Sequence, residues 1–478
     1  MDARHAGMNP VASYADWLSR SDTPWSSAAR ATGRDCLRDV IGCMVAGSRD
    51  VATQAVAAPL LQTSGPCTVV GLVNGLPAPW AALVNGTAAH ALDFDDNYAP
   101  GMAHSSAVLV PAILAVGEQR GTSGAALLDA FLAGLEVMAG VGFAVNPIHR
   151  QRGWHATSTV GAVAAAGACA RIMRLDAERT AHALAIATSL AGGSMQQFGT
   201  MTKPLHAGLA AQAGVLAAQW AEAGLTGSPH ALDGPYGLQR LLVGIDLEAQ
   251  QEKGTGYEEH GFTLRFAPLP EATPFAVEQH PPLLKLWPNC ASAHPAVQLM
   301  LGLRAQHGLQ PAAVHGLVVR TRPHYLANLR YTRPVNAMQA RFSLEHAVAV
   351  ALLRGEVLLS DFEETALAAP DLQAAWNLVQ REALDGPPSV EAQLDVTLHD
   401  GTVLHAELLD GQLIGDAGAP IPEADLLAKF RSCCAVALAP AATAQLERWL
   451  AQPQEQPDLV ALVAGLSGRY RLTLQVHG

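Results

Sequence analysis

Apolar and polar positions along the first half of the chain recur at helical spacing. From Pro10 to about Gly244 the pattern is largely helical, most clearly over residues 28–46, 125–140, 157–173 and 205–224. In the last of these, Leu209, Val215, Leu216 and Trp220 supply bulk while Ala and Gly fill the gaps between. Glycines and prolines punctuate the helices rather than ordering them into strands. Residues 247–274 are more polar, with Gln250-Gln251-Glu252-Lys253-Gly254, and read as a boundary. The grammar then changes. Residues 314–321 predict a strand, followed by helices over 343–353 and near 372–383. Val390, Ala392, Leu394, Val396 and Leu398 then alternate with polar residues, Asp400-Gly401 forms a turn, and Leu404, Ala406 and Leu408 alternate on the return. That is a strong β-hairpin signal. Helical spacing resumes at 423–430 and 441–451, and residues 470–476 alternate like a strand. The expected fold is mainly α: a large all-helical domain over residues 1–269 and 411–478, with a smaller α/β domain inserted at 270–410.

Composition sharpens this picture. The chain has 478 residues, half of them hydrophobic and only 15% charged, against roughly 25% charged in an ordinary soluble chain. Much of the surface must therefore be buried, in cores or between subunits. Net charge is −12 and no block of Lys/Arg stands out, so nucleic acid and anionic membranes are poor partners. An anionic substrate needs a site that is locally positive against that background. The seven cysteines include an adjacent pair but no CxxC, which speaks against a disulfide framework or a structural zinc site. The N-terminus lacks a basic region followed by an apolar run. The uncharged stretch 51–92 is broken by Pro59, Pro66, Pro77 and Pro79, and that at 181–202 holds Gly192-Gly193 and Gln196-Gln197. Neither suits a membrane span, and a cytoplasmic location is expected. No GxxxxGK[ST] loop or GxSxG elbow is present.

Four segments carry candidate chemistry. The first is His90-Ala91-Leu92-Asp93-Phe94-Asp95-Asp96-Asn97, followed by His104-Ser105-Ser106. Acids packed this densely repel one another unless something offsets them. They can hold magnesium from one face of a helix, cap the next segment or form surface ion pairs, or orient and tune a histidine. The absence of a second metal motif and the scarcity of aromatics count against magnesium. The second segment, Gly153-Trp154-His155-Ala156-Thr157-Ser158, sets a histidine directly before an apolar helix, with Ser158 or Thr157 available as its cap. The third, Gly199-Thr200-Met201-Thr202-Lys203-Pro204-Leu205-His206, puts a lysine where a loop enters a very apolar helix. Such a lysine either snorkels to the surface or offers its ammonium, with helix N-terminal amides, to an anion. The fourth, Lys285-Leu286-Trp287-Pro288-Asn289-Cys290 with His294 behind it, opens the α/β region. It reads either as an exposed turn or as part of a cleft between domains.

Taken together, Asn85 to Asp96, Gly153 to Thr157, Thr202 to Gly208, Lys285 to His294 and Ala340-Arg341-Phe342-Ser343 resemble the MmgE/PrpD family, in family order over nearly the whole chain. The family includes 2-methylcitrate dehydratases, cis-aconitate decarboxylases and iminodisuccinate epimerases. The resemblance implies a helical domain with a smaller α/β lid, a homodimer joined through the helical domain, no cofactor or metal, and a small di- or tricarboxylate substrate. By the family pattern, Asp93, His104, His155, Lys203 and Lys285 fall on catalytic positions, with Asn97, Tyr331 and His206 as expected substrate contacts. His90, Asp95 and Asp96 are assigned to structure. The chain departs from the pattern at Asn97, where other members carry a threonine, and at His104-Ser105-Ser106, where many have His-Pro-Ser. The chemistry implied is a carbanion formed beside a carboxylate, which needs a positioned base and cations facing the developing charge. A 2-methylcitrate-dehydratase-type lyase is the first expectation, then a dicarboxylate epimerase, then a cis-aconitate-type decarboxylase. A catalytically silent metabolite-binding dimer is the reading from another class.

Overall fold

Side-chain caps fix where several helices start. Asn9, Ser26, Ser123 and Asp176 each accept a hydrogen bond from the backbone N–H three residues on, satisfying donors that the helix itself leaves unpaired. In the computed structural model, which describes residues 8–20, 22–387, 389–416 and 418–467, the helices of the first half are α1 (Pro10–Ser19), α2 (Ser27–Gly47), α3 (Val51–Ala57), α4 (Ala78–His90), α5 (Ser106–Arg120), α6 (Gly124–Val145), α7 (Ile148–Gln151), α8 (Ala156–Met173), α9 (Ala177–Thr188) and α10 (Thr202–Glu222). Their buried faces form one continuous core, joined by Phe430, Leu446, Trp449 and Leu462 from helices near the C-terminus. Helices α6 and α8 are long and apolar enough to cross a membrane by composition, yet 89% and 100% of their most apolar 18-residue stretches are buried inside this core.

Alanine and glycine set the packing. Helix α10 buries Ala207, Gly208, Ala210, Ala211 and Gly214, whereas the bulkier Leu209 and Trp220 are exposed on its outer side. With small residues inside, backbones meet almost directly. A Cβ on Gly208 would lie 2.2 Å from the Leu83 carbonyl of α4, and one on Gly86 would lie 2.8 Å from the Gly208 Cα.

A second core is built from residues 287–413 around a four-stranded sheet of order β2-β1-β3-β4, with β1 at Val314–Thr321, β2 at Val379–Ala383, β3 at Val390–Leu398 and β4 at Val403–Leu409. Strands β3 and β4 form the expected hairpin, and β3 buries Val390, Ala392, Leu394 and Val396 in strict alternation. The helices His294–His307 and Leu344–Arg354 pack against this core. One expectation fails. The helix foreseen near 372–383 is instead a short helix Pro370–Ala375, a single tight turn, and the edge strand β2. Gln380, Arg381, Glu382 and Ala383 favour a helix locally, but parallel pairing of Leu317 to Thr321 with Val379 to Ala383 decides the outcome. The strand expected at 470–476 lies outside the described residues. The chain is thus mainly α with a small mixed sheet.

The α4–α10 contact gives a direct test. Gly208→Val should destabilise the protein by about 1–3 kcal/mol or more through overpacking, read as a lower urea midpoint, whereas Leu209→Ala on the exposed side should fall within about 0.5 kcal/mol of wild type.

Candidate active site

The glycine contact brings two helix ends together. His90 closes α4 and Lys203 opens α10, four residues beyond Gly86 and five before Gly208 respectively. The Lys203 ammonium donates to His90 Nε2 at 2.9 Å and to Asp93 Oδ2 at 2.8 Å. Lys285 reaches the same carboxylate, donating to Asp93 Oδ1 at 2.5 Å and to the Asp93 carbonyl at 2.7 Å. Asp93 sits just past α4 at φ 51°, a left-handed conformation that Asp tolerates better than most residues. The acids of this loop are therefore not on a helix, as the magnesium reading required. Both lysines are buried, so neither snorkels, and Phe198 and Phe342 face the Lys203 ammonium at 5.4 and 4.9 Å.

The imidazoles follow by donor and acceptor accounting. His104 Nδ1 lies 3.0 Å from the Asp96 carbonyl and 3.3 Å from the Asp95 carboxylate. Both can only accept, so Nδ1 carries the hydrogen. Nε2 keeps its lone pair, 4.0 Å from Asp93 Oδ1. His90 likewise donates from Nδ1 to Asp95 at 2.9 Å and accepts from Lys203 at Nε2. His155 and His206 face each other Nδ1 to Nδ1 at 2.9 Å, which requires one proton shared by two rings. His206, an expected substrate contact, thus meets His155. His155 is also the N-cap residue of α8, although its side chain makes no capping bond. Thr157, expected there as a possible cap, accepts from the His104 backbone N–H at 3.1 Å.

Charge in this enclosure is strongly biased. Burial pushes the Asp93 carboxyl up, but the Lys203 and Lys285 ammonium groups overcome it and hold Asp93 well below the usual carboxylate range. Asp95 is likewise held low, with His90 and His104 overcoming its burial. Burial depresses the imidazoles, His104 to about 3 and His206 to about 4, and His155 well below its ordinary value with Lys203 adding to the effect. Lys285 loses by burial but gains more from Asp93 and stays charged. At neutral pH Lys285 is therefore an ammonium and Asp93 and Asp95 are firmly ionised, among neutral imidazoles. Asp96 stands apart. It accepts from the Ser105 hydroxyl and from the Ser106 N–H at 3.0 Å, which fixes the start of α5, and burial raises it to about 6.

The remaining expected residues frame the cluster. Asn97 exchanges backbone hydrogen bonds with Leu283 at 2.9 and 2.7 Å, tying the Asp93 loop to the segment that leads to Lys285. The Tyr331 hydroxyl donates to the Phe198 carbonyl at 3.1 Å and covers Gly199, where a Cβ would lie 2.2 Å from it. Arg341 donates to the Ala91 carbonyl at 3.0 Å. His90, Asp93, Asp95 and His104 present ligand-type atoms within 4.8 Å of one another, a grouping that could hold a metal ion. The two lysines already on Asp93, one of them on His90 as well, oppose a further cation there. Sequence reasoning assigned His90 and Asp95 to structure, and the fold sets them against Lys203 and His104. It passed over Lys429 altogether, although Leu426, Phe430 and Cys433 flank it at helical spacing, a sign that Lys429 faces inward.

The chain matches the MmgE/PrpD N-terminal domain over residues 11–250 and the MmgE/PrpD C-terminal domain over residues 287–451. It belongs to the MmgE/PrpD family. Among curated relatives of this MmgE/PrpD enzyme, cis-aconitate decarboxylase of Homo sapiens is 30% identical over 374 residues, covering 75% of this chain and 73% of the relative. A cis-aconitate decarboxylase-like protein of Aspergillus oryzae is 25% identical over 96% of this chain and 98% of its own. The cis-aconitate decarboxylase of Aspergillus terreus is 25% identical over 90% of each.

The neutral His104 has a measurable signature. Its pKa falls from 6.5 unfolded to about 3 folded, so between these values the unfolded chain binds a proton that the folded one refuses. Stability is therefore lost as pH drops through that window. Relative to His104→Asn, the wild type should lose on the order of 1 kcal/mol per pH unit between about pH 6 and pH 4, read by urea unfolding. Parallel pH profiles for the two proteins would refute a neutral His104.

Proposed function

We propose that this enzyme is a lyase acting on a small di- or tricarboxylate with its own side chains alone, and that its reaction is loss of CO2 from cis-aconitate or a near analogue. The observation that carries the reading is the Asp93 carboxylate held between two buried ammonium groups among neutral imidazoles. Each ammonium has three N–H donors, and the hydrogen bonds above use two on each. One donor per lysine is left for a substrate carboxylate, and the Asp93 contacts are ones that a second carboxylate can share.

In such a site, heterolysis of a C–CO2 bond leaves its electron pair on carbon, conjugated with a neighbouring carboxylate. Lys203 and Lys285 face the charge that builds on that carboxylate, where burial makes each contact stronger than in water. One proton must then reach carbon. His155 can supply it from Nε2 when His206 holds the proton at Nδ1, and solvent restores it after CO2 departs. His104, with its lone pair at Nε2, is the complementary base. The same groups would serve elimination, in which a base removes the proton first. The likeness to proteins named cis-aconitate decarboxylase moves the preference away from the dehydration expected first. Asn97, in the loop directly after Asp96, is where a substrate difference from those relatives would be felt.

The test is proton NMR in deuterated water with citrate, 2-methylcitrate, cis-aconitate and iminodisuccinate. Deuterium incorporation with CO2 loss from cis-aconitate is the expected result. Turnover of 2-methylcitrate alone, or wash-in on iminodisuccinate without net conversion, would replace decarboxylation with dehydration or epimerisation. Lys203→Ala, Lys285→Ala and His155→Ala should each lower kcat by roughly 100-fold or more while circular dichroism stays native. Wild-type-like turnover in any of them would remove that residue from the mechanism.

A further inference from the structure

Lys429, in the helix Glu423–Ala435, is buried and far in sequence from the other site residues. Its ammonium has three partners: Asp39 Oδ1 at 2.6 Å, the Phe94 carbonyl at 2.8 Å and the Lys285 carbonyl at 2.8 Å. It also stands 3.9 Å from the centre of the Phe94 ring. Phe94 in turn packs with Cys43, Ala46 and Cys433 in a small apolar cluster beneath the site.

Two of these contacts matter for chemistry. Phe94 follows Asp93, and Lys285 is the residue whose side chain grips Asp93. A single ammonium accepted by both carbonyls fixes the distance between the two backbones that the Asp93–Lys285 pair must span. The mutual backbone bonds of Asn97 and Leu283 close the same gap on its other side. We propose that Lys429 is a positioning residue: its ammonium clamps the Asp93 loop to the Lys285 segment so that the carboxylate and ammonium of the site meet in register. Asp39 supplies the counter-charge that lets Lys429 remain ionised out of water.

A purely structural ion pair would have a different signature. In that case only the Lys429–Asp39 contact matters, and removing both charges together restores everything. The clamp predicts otherwise, because the carbonyl contacts are lost whatever happens at Asp39. The kinetic part of the test rests on the decarboxylase reading; the exchange part does not.

The experiment compares the full chain as wild type, Asp39→Asn, Lys429→Met and the double variant Asp39→Leu/Lys429→Met, by thermal unfolding, hydrogen exchange at the Asn97 and Leu283 amides, and steady-state kinetics on cis-aconitate. The double variant should recover melting temperature relative to Lys429→Met. Its Asn97 and Leu283 amides should nevertheless exchange at least about tenfold faster than wild type, with kcat roughly tenfold to a hundredfold lower. Asp39→Asn, in which Lys429 keeps two N–H donors for the two carbonyls whether or not it stays charged, should show slow amides and kcat within about twofold of wild type. Slow amides and wild-type kcat in the double variant would overturn the clamp. Should the Lys429 variants fail to fold, Asp39→Asn still decides, since fast amides there would mean that the ion pair, not the carbonyl contacts, holds the gap. If the wild type turns over none of the carboxylates, the proposed reaction fails, and the exchange rates alone decide the clamp.

Discussion

A carboxylate held between two ammonium groups in a place shielded from water is the interaction on which this site depends. Alone, each charge would be expensive to bury and would shed or take up a proton instead. Lys203 and Lys285 together hold Asp93 ionised, and Asp95 adds a second ionised carboxylate beside it. The histidines around them stay neutral because burial and the ammonium groups both disfavour another positive charge. Neutral rings with defined hydrogens are what proton transfer to and from carbon requires.

Local pattern made the regular elements legible. The alternation of Val390 to Leu398 and the Asp400-Gly401 turn led directly to the hairpin, and the spacing over 314–321 matched a strand to the residue. The pattern misled where the environment outvoted local preference. Gln380 to Ala383 read as helix and became an edge strand through pairing with β1. Of the bulk read in α10, Val215 is buried while Leu209 and Trp220 are exposed, and the small residues that face inward let the backbones approach closely.

The site was legible in part for the same reason. Resemblance placed Asp93, His104, His155, Lys203 and Lys285 on the catalytic positions, and they do converge. Nothing local says that His90 Nε2 meets the Lys203 ammonium, since those residues are 113 apart in the chain. Lys429 is 335 residues from Phe94 and carries no motif of its own. Its signal was only a lysine on an apolar helical face, and its meaning came from the carbonyls it reaches.

The backbone contact between Gly86 and Gly208 has one more consequence. Side chains between helices can rotate and yield, whereas two peptide backbones in contact have nothing to compress. The ends of α4 and α10, bearing His90 and Lys203, therefore act as the fixed jaw of a vice. Adaptation to a new substrate cannot come from shifting that jaw without unmaking the core. It has to come from side chains on pinned loops, such as that of Asn97, whose backbone is tied down while its chemistry can be exchanged. A scaffold divided in this way, unyielding where charge is paired and permissive beside it, can change what it accepts while keeping what it does.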